Sequence, residues 1–104
     1  MKLMTKELAK TIPAIGDQRE VEDPIAYAKI FNPYGAGTWF ITEFNPETKE
    51  CYGYVELLDS ESGFFDFTEL ESLRVPYIRG QRPVAKLERD LYFSPTPLSQ
   101  IRNR

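Results

Sequence analysis

The sequence predicts an α+β fold in which an antiparallel meander of four to five strands carries short helices packed on one face. Segments rich in aromatic and β-branched residues follow one another along the chain. The connections between them are too short for a crossover helix, which favours antiparallel neighbours. The length of 104 residues, with 41% hydrophobic and 13% aromatic side chains, corresponds to one modest core. We therefore expect a single domain, residues 1–104.

The N-terminal region is predicted to form a short helix followed by a connecting loop. Thr5 is a favourable N-cap for a helix from Lys6 to Thr11. Pro13 ends this helix, because the residue before a proline is driven out of the helical conformation. Residues 16–24 are polar and turn-like, so a loop is expected there.

The middle of the chain predicts the strands of the meander. Alternating patterns mark three of them, at residues 25–31, 39–44 and 51–57. The segments between them contain Asn-Pro and glycine, which are typical of tight turns. A fourth, short strand is predicted at residues 63–67.

A second helix is predicted to start at Thr68. The stretch Thr68-Glu69-Leu70-Glu71 has the Ser/Thr-x-x-Glu pattern of a capping box. Leu70 and Leu73 then mark its buried side, and Pro76 ends it.

The last third of the chain is predicted to contain a loop, a strand and a helical turn. Residues 75–86 have prolines, a glycine and basic residues without periodicity, which indicates an exposed loop. Residues 87–93 are expected to form the last strand, with its inward side chains being Leu87, Leu91 and Phe93. The tail predicts a helical turn through Leu98 and Ile101.

The composition argues against several kinds of active site. The chain has no histidine, so Ser-His-Asp and Cys-His catalysis are excluded, as is the commonest transition-metal ligand. Cys51 is the only cysteine and is expected to be buried and inert. Residues 35–37 lack the lysine of a phosphate loop, and residues 59–63 lack the closing Glu of a calcium loop. We predict no catalytic residue, no metal and no cofactor.

The charge distribution and the absence of targeting signals limit the expected cellular location and partners of the protein. There is no secretory h-region and no apolar run of membrane-spanning length, and one cysteine fits a reducing compartment, so a cytoplasmic location without a membrane partner is expected. Residues 1–73 have a net charge of −8, whereas residues 74–104 have +5. Such asymmetry either marks a basic binding patch or is neutralised by packing against the acidic part.

Three motifs follow one another along the chain in an order that is typical of one family. They are Thr-Trp-x-x-Thr-Glu at residues 38–43, Glu-Leu-Glu-Ser-Leu-Arg at residues 69–74 and Glu-Arg-Asp-Leu-x-Phe at residues 88–93. With them the chain resembles a family of small bacterial proteins of unknown function that are common on plasmids, phages and other mobile elements. The resemblance implies a fold and a mobile-element setting, and it implies no activity. Residues 75–86 are longer and more basic here than in typical members.

Glu88-Arg89-Asp90 is the densest polar motif. Arg89 could hold a phosphate or carboxylate, with Glu88 or Asp90 as an acid or base. The favoured alternative is a structural ion pair between Arg89 and a carboxylate such as Glu43 or Glu69.

Two further groups are candidates for binding. Aromatic side chains could form a stacking platform or an interface anchor, although most are expected in the core; they are Trp39, Tyr52, Tyr54, Phe64 and Phe65. The loop residues Arg79, Arg82 and Lys86 could contact phosphates, with a solvated loop as the alternative.

Three functions are compatible with these residues. The preferred one is a non-catalytic binding protein of a mobile element that occupies a surface on a host or competitor protein. The second is an accessory nucleic-acid binder that uses the basic C-terminal third. The third is a carboxylate- or metal-dependent hydrolase built around Glu69, Glu88 and Asp90. The sequence leaves the oligomeric state open.

Overall fold

The computed structural model describes residues 1–104 and contains three short helices and nine strands. The helices are α1 (Lys6–Thr11), α2 (Phe67–Ser72) and α3 (Leu98–Arg102). The strands are β1 (Ile25–Ala26), β2 (Ala28–Phe31), β3 (Thr38–Phe44), β4 (Glu50–Glu56), β5 (Ser60–Asp66), β6 (Arg74–Val75), β7 (Ala85–Lys86), β8 (Glu88–Arg89) and β9 (Thr96–Pro97). With at most six residues each, the helices are all too short to cross a membrane.

The central sheet has five antiparallel strands in the order β5-β4-β3-β2-β8. This arrangement confirms the predicted α+β class and antiparallel sheet. Two small ribbons, β1 with β9 and β6 with β7, accompany the sheet.

The helix caps agree with the prediction at α1 and differ from it at α2. The Thr5 hydroxyl accepts a hydrogen bond from the Leu8 N–H at 3.1 Å, as expected for the N-cap of α1. At α2 the N-cap is Asp66 rather than Thr68, because the Asp66 carboxylate accepts the Thr68 N–H at 2.8 Å. The helix ends one residue before Leu73, which is 39% exposed, so the prediction that Leu73 is buried is wrong.

The first predicted strand is interrupted at Tyr27. The Tyr27 N–H donates to the Ile41 carbonyl at 2.8 Å, and β1 turns away from the sheet to pair with β9. The backbone N–H of Ile25 donates to the Gln18 side chain at 2.8 Å, which fixes where β1 begins.

The last predicted strand is much shorter than residues 87–93. The Asp90 N–H still donates to the Lys29 carbonyl at 2.9 Å, but the Asp90 side chain accepts the Tyr92 N–H at 2.9 Å, a local turn that ends the pairing there. Leu91 is consequently 60% exposed, so its predicted inward position is wrong, whereas Leu87 is buried.

The core has two parts, one on each face of the sheet. On the first face α1 and α2 pack against β3, and the buried residues include Ile12, Trp39, Ile41, Phe44, Phe67 and Leu70. On the second face α3 packs against Phe40, and the buried residues are Ala26, Phe40, Leu98 and Ile101. The prediction that the helices pack on one face is therefore wrong, since α3 covers the second face. Residues 39–44 of β3 are buried without alternation, because α3 covers Phe40 and the loop that contains Gln18 covers Thr42 and Glu43.

Candidate recognition surface

The three side chains of Glu88-Arg89-Asp90 do not form one site. The Arg89 guanidinium donates to the Leu3 carbonyl at 3.1 Å and holds the N-terminal segment against β8. The predicted ion pair of Arg89 with Glu43 or Glu69 is wrong, because neither carboxylate lies within ion-pair distance of it. Asp90 instead has its Oδ2 atom 3.9 Å from Lys29 Nζ. This motif fastens the end of the sheet.

Glu43 is the most unusual charged residue of the sheet, because it is only 5% exposed. Its two carboxylate oxygens accept the backbone N–H groups of Gly16 at 2.8 Å and Gln18 at 2.7 Å. A β-bulge between Ile41 and Glu43 shifts the register at this point of β3. Two backbone donors compensate for burial of the charge, so Glu43 fixes the loop formed by residues 14–24.

Sequence reasoning missed this role of Glu43. A signal exists in the sequence, since a carboxylate stands inside the otherwise apolar or uncharged strand Trp39–Phe44. The Gln18 side chain completes the anchor, because its Nε2 donates to the carbonyls of Ile25 at 2.9 Å and Thr42 at 2.8 Å.

The other candidates from the sequence fall into the core or onto separate surfaces. Trp39 is 8% exposed and packs in the core, so its ring is not placed to contact a partner. Glu69 lies on the exposed side of α2, and its carboxylate makes no hydrogen bond or ion pair. Of the predicted aromatic platform only Phe64 is exposed, at 60%, with its ring 4.8 Å from that of Tyr52.

Cys51 is fully buried in the core, in agreement with the prediction. Burial raises the pKa of its thiol to about 12, and the nearby carboxylates of Asp66 and Glu50 act in the same direction. The thiol is therefore protonated at neutral pH and is a poor nucleophile. No three His, Cys, Asp or Glu side chains converge as a metal site would require.

The basic loop of the sequence is mounted on a two-stranded ribbon. β6 and β7 pair antiparallel, with Arg74 opposite Lys86 and Val75 opposite Ala85. Ala85 is buried and Val75 packs against the core, so the base of the ribbon is held by apolar contacts. Residues 76–84 extend beyond this base, and nearly all of them are exposed.

An aromatic pair lies at the surface beside the ribbon. The rings of Tyr34 and Tyr77 meet edge to face, with their centroids 4.7 Å apart. Asn32 positions Tyr34, because its Oδ1 accepts the Tyr34 N–H at 2.9 Å within the β2–β3 turn. The two tyrosines, Val84 and Lys86 are among the residues that line an open cleft of about 470 Å³, and Glu88 lines its rim as the only acidic group.

The basic side chains of this region have no acidic partner. Arg79, Arg82 and Lys86 are exposed and form no ion pair, since the structure has only the pairs Lys29–Asp90 and Arg104–Glu56. Large apolar side chains stand among them: Ile78 is 63% exposed and Val84 is 52% exposed. We call this combination the ribbon surface; its residues are Tyr34, Tyr77, Ile78, Arg79, Arg82, Val84 and Lys86.

The sequence indicated the basic half of the ribbon surface and missed the apolar half. Tyr34 and Tyr77 belong to different connections of the chain, and only the fold brings them together. The available signal was the apolar pair Tyr77-Ile78 inside a loop that is otherwise rich in proline and arginine.

These features define the protein as an α+β domain on a five-stranded antiparallel sheet, with a mixed apolar and basic surface at one end. Residues 3–102 match the family described as protein of unknown function, DUF2958, and the chain belongs to that family. The match confirms that the chain belongs to a family of unknown function, as the resemblance implied. No curated protein and no solved structure matches the chain.

Proposed function

We propose that this protein is a non-catalytic binding protein that occupies a surface on a partner protein through the ribbon surface. The observation that carries the proposal is the exposed Tyr34–Tyr77 pair, which shares its cleft with Lys86 and belongs to the ribbon surface, whose Arg79 and Arg82 are exposed without acidic partners. Tyrosine and arginine are enriched among the residues that dominate protein interfaces. Contiguous apolar patches with a polar rim mark interaction sites on small proteins.

The side chains of the ribbon surface indicate what kind of surface the partner must present. The tyrosines, Ile78 and Val84 suit an apolar contact at the centre, where water is excluded. Arg79, Arg82 and Lys86 suit carboxylates at the rim of that contact. The partner is therefore a protein with an apolar patch bordered by acidic side chains.

The two alternative functions receive less support. A nucleic-acid binder would use the same arginines, but the chain is acidic overall, with a net charge of −3, and offers few phosphate contacts. A hydrolase would need Glu69, Glu88 and Asp90 together. Glu88 and Asp90 line different clefts, and neither cleft includes Glu69.

The biological setting is part of the proposal. We place the recognition in the cytoplasm of a bacterial host, where the protein of a plasmid, phage or other mobile element acts on a host or competitor protein. The presence of its gene beside replication or transfer genes in sequenced elements is the expected observation.

Affinity capture from a host lysate, followed by mass spectrometry, tests the proposal when ribbon variants are compared with matched controls. Tyr77→Ala and Arg82→Glu remove the apolar and the basic contact. Their controls are Tyr92→Ala, at a tyrosine that is 96% exposed elsewhere, and Lys10→Glu, at an exposed lysine of α1. We expect a stoichiometric protein partner that the controls retain, and that Tyr77→Ala binds about 10- to 30-fold more weakly in calorimetry.

Two results would contradict the proposal. One is equal capture of the partner by the wild type and both ribbon variants. The other is recovery of nucleic acid alone, with binding that falls steeply between 50 and 200 mM salt, which would establish the phosphate-binding alternative.

A further inference from the structure

Strand β5 forms an open edge of the central sheet. It has seven residues, pairs only with β4, and most of its residues are exposed. The opposite edge is different, because β8 has only two residues and Arg89 ties the N-terminal segment against it. Long open edges are uncommon in stable proteins unless another strand pairs with them.

The hydrogen-bond pattern shows which backbone groups of β5 are free. The Phe67 N–H donates to the Lys49 carbonyl at 2.9 Å, and the Leu57 N–H donates to the Asp59 carbonyl at 2.9 Å. Both bonds join odd-numbered residues, and antiparallel bonding alternates along a strand. The backbone groups of Glu61, Gly63 and Phe65 therefore point to β4. Those of the alternate residues Ser60, Ser62 and Phe64 point outward.

We infer that two copies of this chain pair antiparallel through their β5 strands, with Gly63 of each copy on the two-fold axis. This register sets Ser62 of one copy opposite Phe64 of the other, and Ser60 opposite Asp66. The outward-pointing backbone groups then bond to each other, and two five-stranded sheets become one continuous sheet of ten strands.

The side chains of β5 favour a second copy over another occupant. In this register no acidic residue faces another: Glu61 lies opposite Phe65, and the two Glu61 side chains are separated by about 14 Å along the strands. That distance exceeds the screening length of about 8 Å in physiological salt. A Cβ built at Gly63 would have no heavy atom within 4 Å, so nothing in the same copy obstructs the approach of a second strand at the axis.

An arginine adds charge complementarity to the same pairing. Arg102 of α3 donates to the Ser62 hydroxyl at 3.4 Å and lies over the Tyr54 ring. In the proposed register Ser62 is diagonal to Asp66 of the other copy, within reach of long side chains. Each Arg102 would thus face the Asp66 carboxylate of the second copy.

Helix α2 leaves the edge open, because Phe67 and Leu70 draw it onto one face of the sheet.

The dimer is independent of the proposed partner. The ribbon surface leads into β8, at the opposite edge of the sheet from β5. Both copies therefore keep their ribbon surfaces, and a dimer would bind its partner bivalently. Failure of dimerisation leaves capture by the ribbon surface intact, and the reverse also holds.

A charge swap on the two-fold axis tests the register. Sedimentation velocity of the wild type between roughly 1 and 300 μM should show a rise toward twice the 12.1 kDa mass of the chain. Gly63→Asp and Gly63→Lys each place like charges face to face, so each alone should weaken dimerisation at least about tenfold. Mixing the two should restore the dimer, whereas the control Gly63→Ser should dimerise like the wild type.

A second variant separates loss of pairing from loss of folding. Ser62→Pro removes an outward N–H but none of the bonds to β4, so its circular dichroism at low concentration should match the wild type while the dimer is lost. Three results would overturn the inference: a wild type that stays monomeric at 300 μM, charge variants that each still dimerise, or a mixture that does not.

Discussion

Residues 14–24 and residues 76–84 are two connections of similar length and opposite charge: the first has four carboxylates and one arginine, and the second has two arginines and no carboxylate. The first, which we call the anchored loop, is bonded to the sheet through Glu43 and Gln18 and to helix α3 through the pair of Asp23 with Ser99. The second, which we call the ribbon loop, has one internal backbone hydrogen bond, from the Gln81 N–H to the Ile78 carbonyl. It is otherwise held by the short ribbon of β6 and β7 at its base.

The difference between these loops shows how the fold divides its polar residues between structure and recognition. In the anchored loop, the amides of Gly16 and Gln18 and the side chains of Gln18 and Asp23 are bonded to the rest of the fold, so these groups are unavailable to a partner. In the ribbon loop, the charged groups remain unpaired and the apolar side chains remain in water. Substitutions in the first loop or its support should therefore change stability, and substitutions in the second should change binding.

The largest expected loss of stability comes from a substitution in β4, at the position that supports the anchored loop from below. Gly53 lies opposite Ile41, beside the bulge that precedes Glu43, and a Cβ at Gly53 would lie 1.8 Å from the Phe40 carbonyl oxygen. Gly53→Ala forces the two strands apart there, and we expect a loss of about 4 kcal/mol in the free energy of unfolding by urea denaturation.

The matched control for this substitution is Gly63→Ala in the neighbouring strand. A Cβ at Gly63 has open space around it, so the free energy of unfolding should stay within about 1 kcal/mol of the wild type. Equal effects at the two glycines would show that loss of glycine flexibility, rather than the clash with Phe40, sets the cost.

The next largest loss of stability is expected when Glu43, which binds the anchored loop, is replaced. Glu43→Gln keeps the shape of the side chain but replaces one acceptor of a backbone N–H with a donor, so one of the Gly16 and Gln18 amides loses its partner. We expect a loss of about 3 kcal/mol in the free energy of unfolding, and faster hydrogen exchange at both amides. Glu47→Gln, at an exposed turn position, should cost less than about 0.5 kcal/mol. Unchanged exchange at Gly16 and Gln18 would contradict the anchoring role.

The elements that the sequence predicted correctly are those determined by interactions between residues close together in the chain. Helix α1 matched its predicted bounds because Thr5 and Pro13 act locally. Strands β3 and β4 began one residue before their predicted starts, since alternation and turn residues also lie within a few positions. The turn at Asp90 is also local, because the Asp90 side chain accepts the N–H two residues later, and it was overlooked in favour of the alternating pattern. Packing of α3 over the second face depends instead on contacts between segments that are distant in the chain.

The candidate site shows the same limit. Arg79, Arg82 and Lys86 were found because basic residues in an aperiodic stretch are conspicuous. Tyr34 and Tyr77 were missed because their pairing joins two distant connections. Glu43 was assigned the wrong partner, since the amides that it binds lie 27 and 25 residues earlier in the chain.

The smallest expected effect concerns the second attachment of the anchored loop. The Ser99 hydroxyl donates to Asp23 Oδ2 at 2.6 Å, and the Ser99 N–H donates to Oδ1 at 3.0 Å. These bonds hold the pKa of Asp23 below its ordinary value of 3.8. They also supply the start of α3 with an acceptor, because its N-cap residue Pro97 has no side-chain hydrogen bond.

The sign of the pH dependence follows from the lowered pKa. A carboxylate with a depressed folded-state pKa stabilises the fold above its unfolded pKa, and this contribution is lost as the pH falls through the folded value. Ser99→Ala removes the hydroxyl bond, so its Tm should lie below that of the wild type at pH 6. The two values should begin to converge as the pH falls below about 4, the ordinary range of an aspartate, and should meet once the pH is below the lowered pKa of folded Asp23. Ser94→Ala, at an exposed serine whose hydroxyl makes no hydrogen bond, should show no such convergence. A Tm difference for Ser99→Ala that stays constant from pH 6 to 2.5 would mean that the serine acts through packing, and that the anchored loop depends on Glu43 and Gln18 alone.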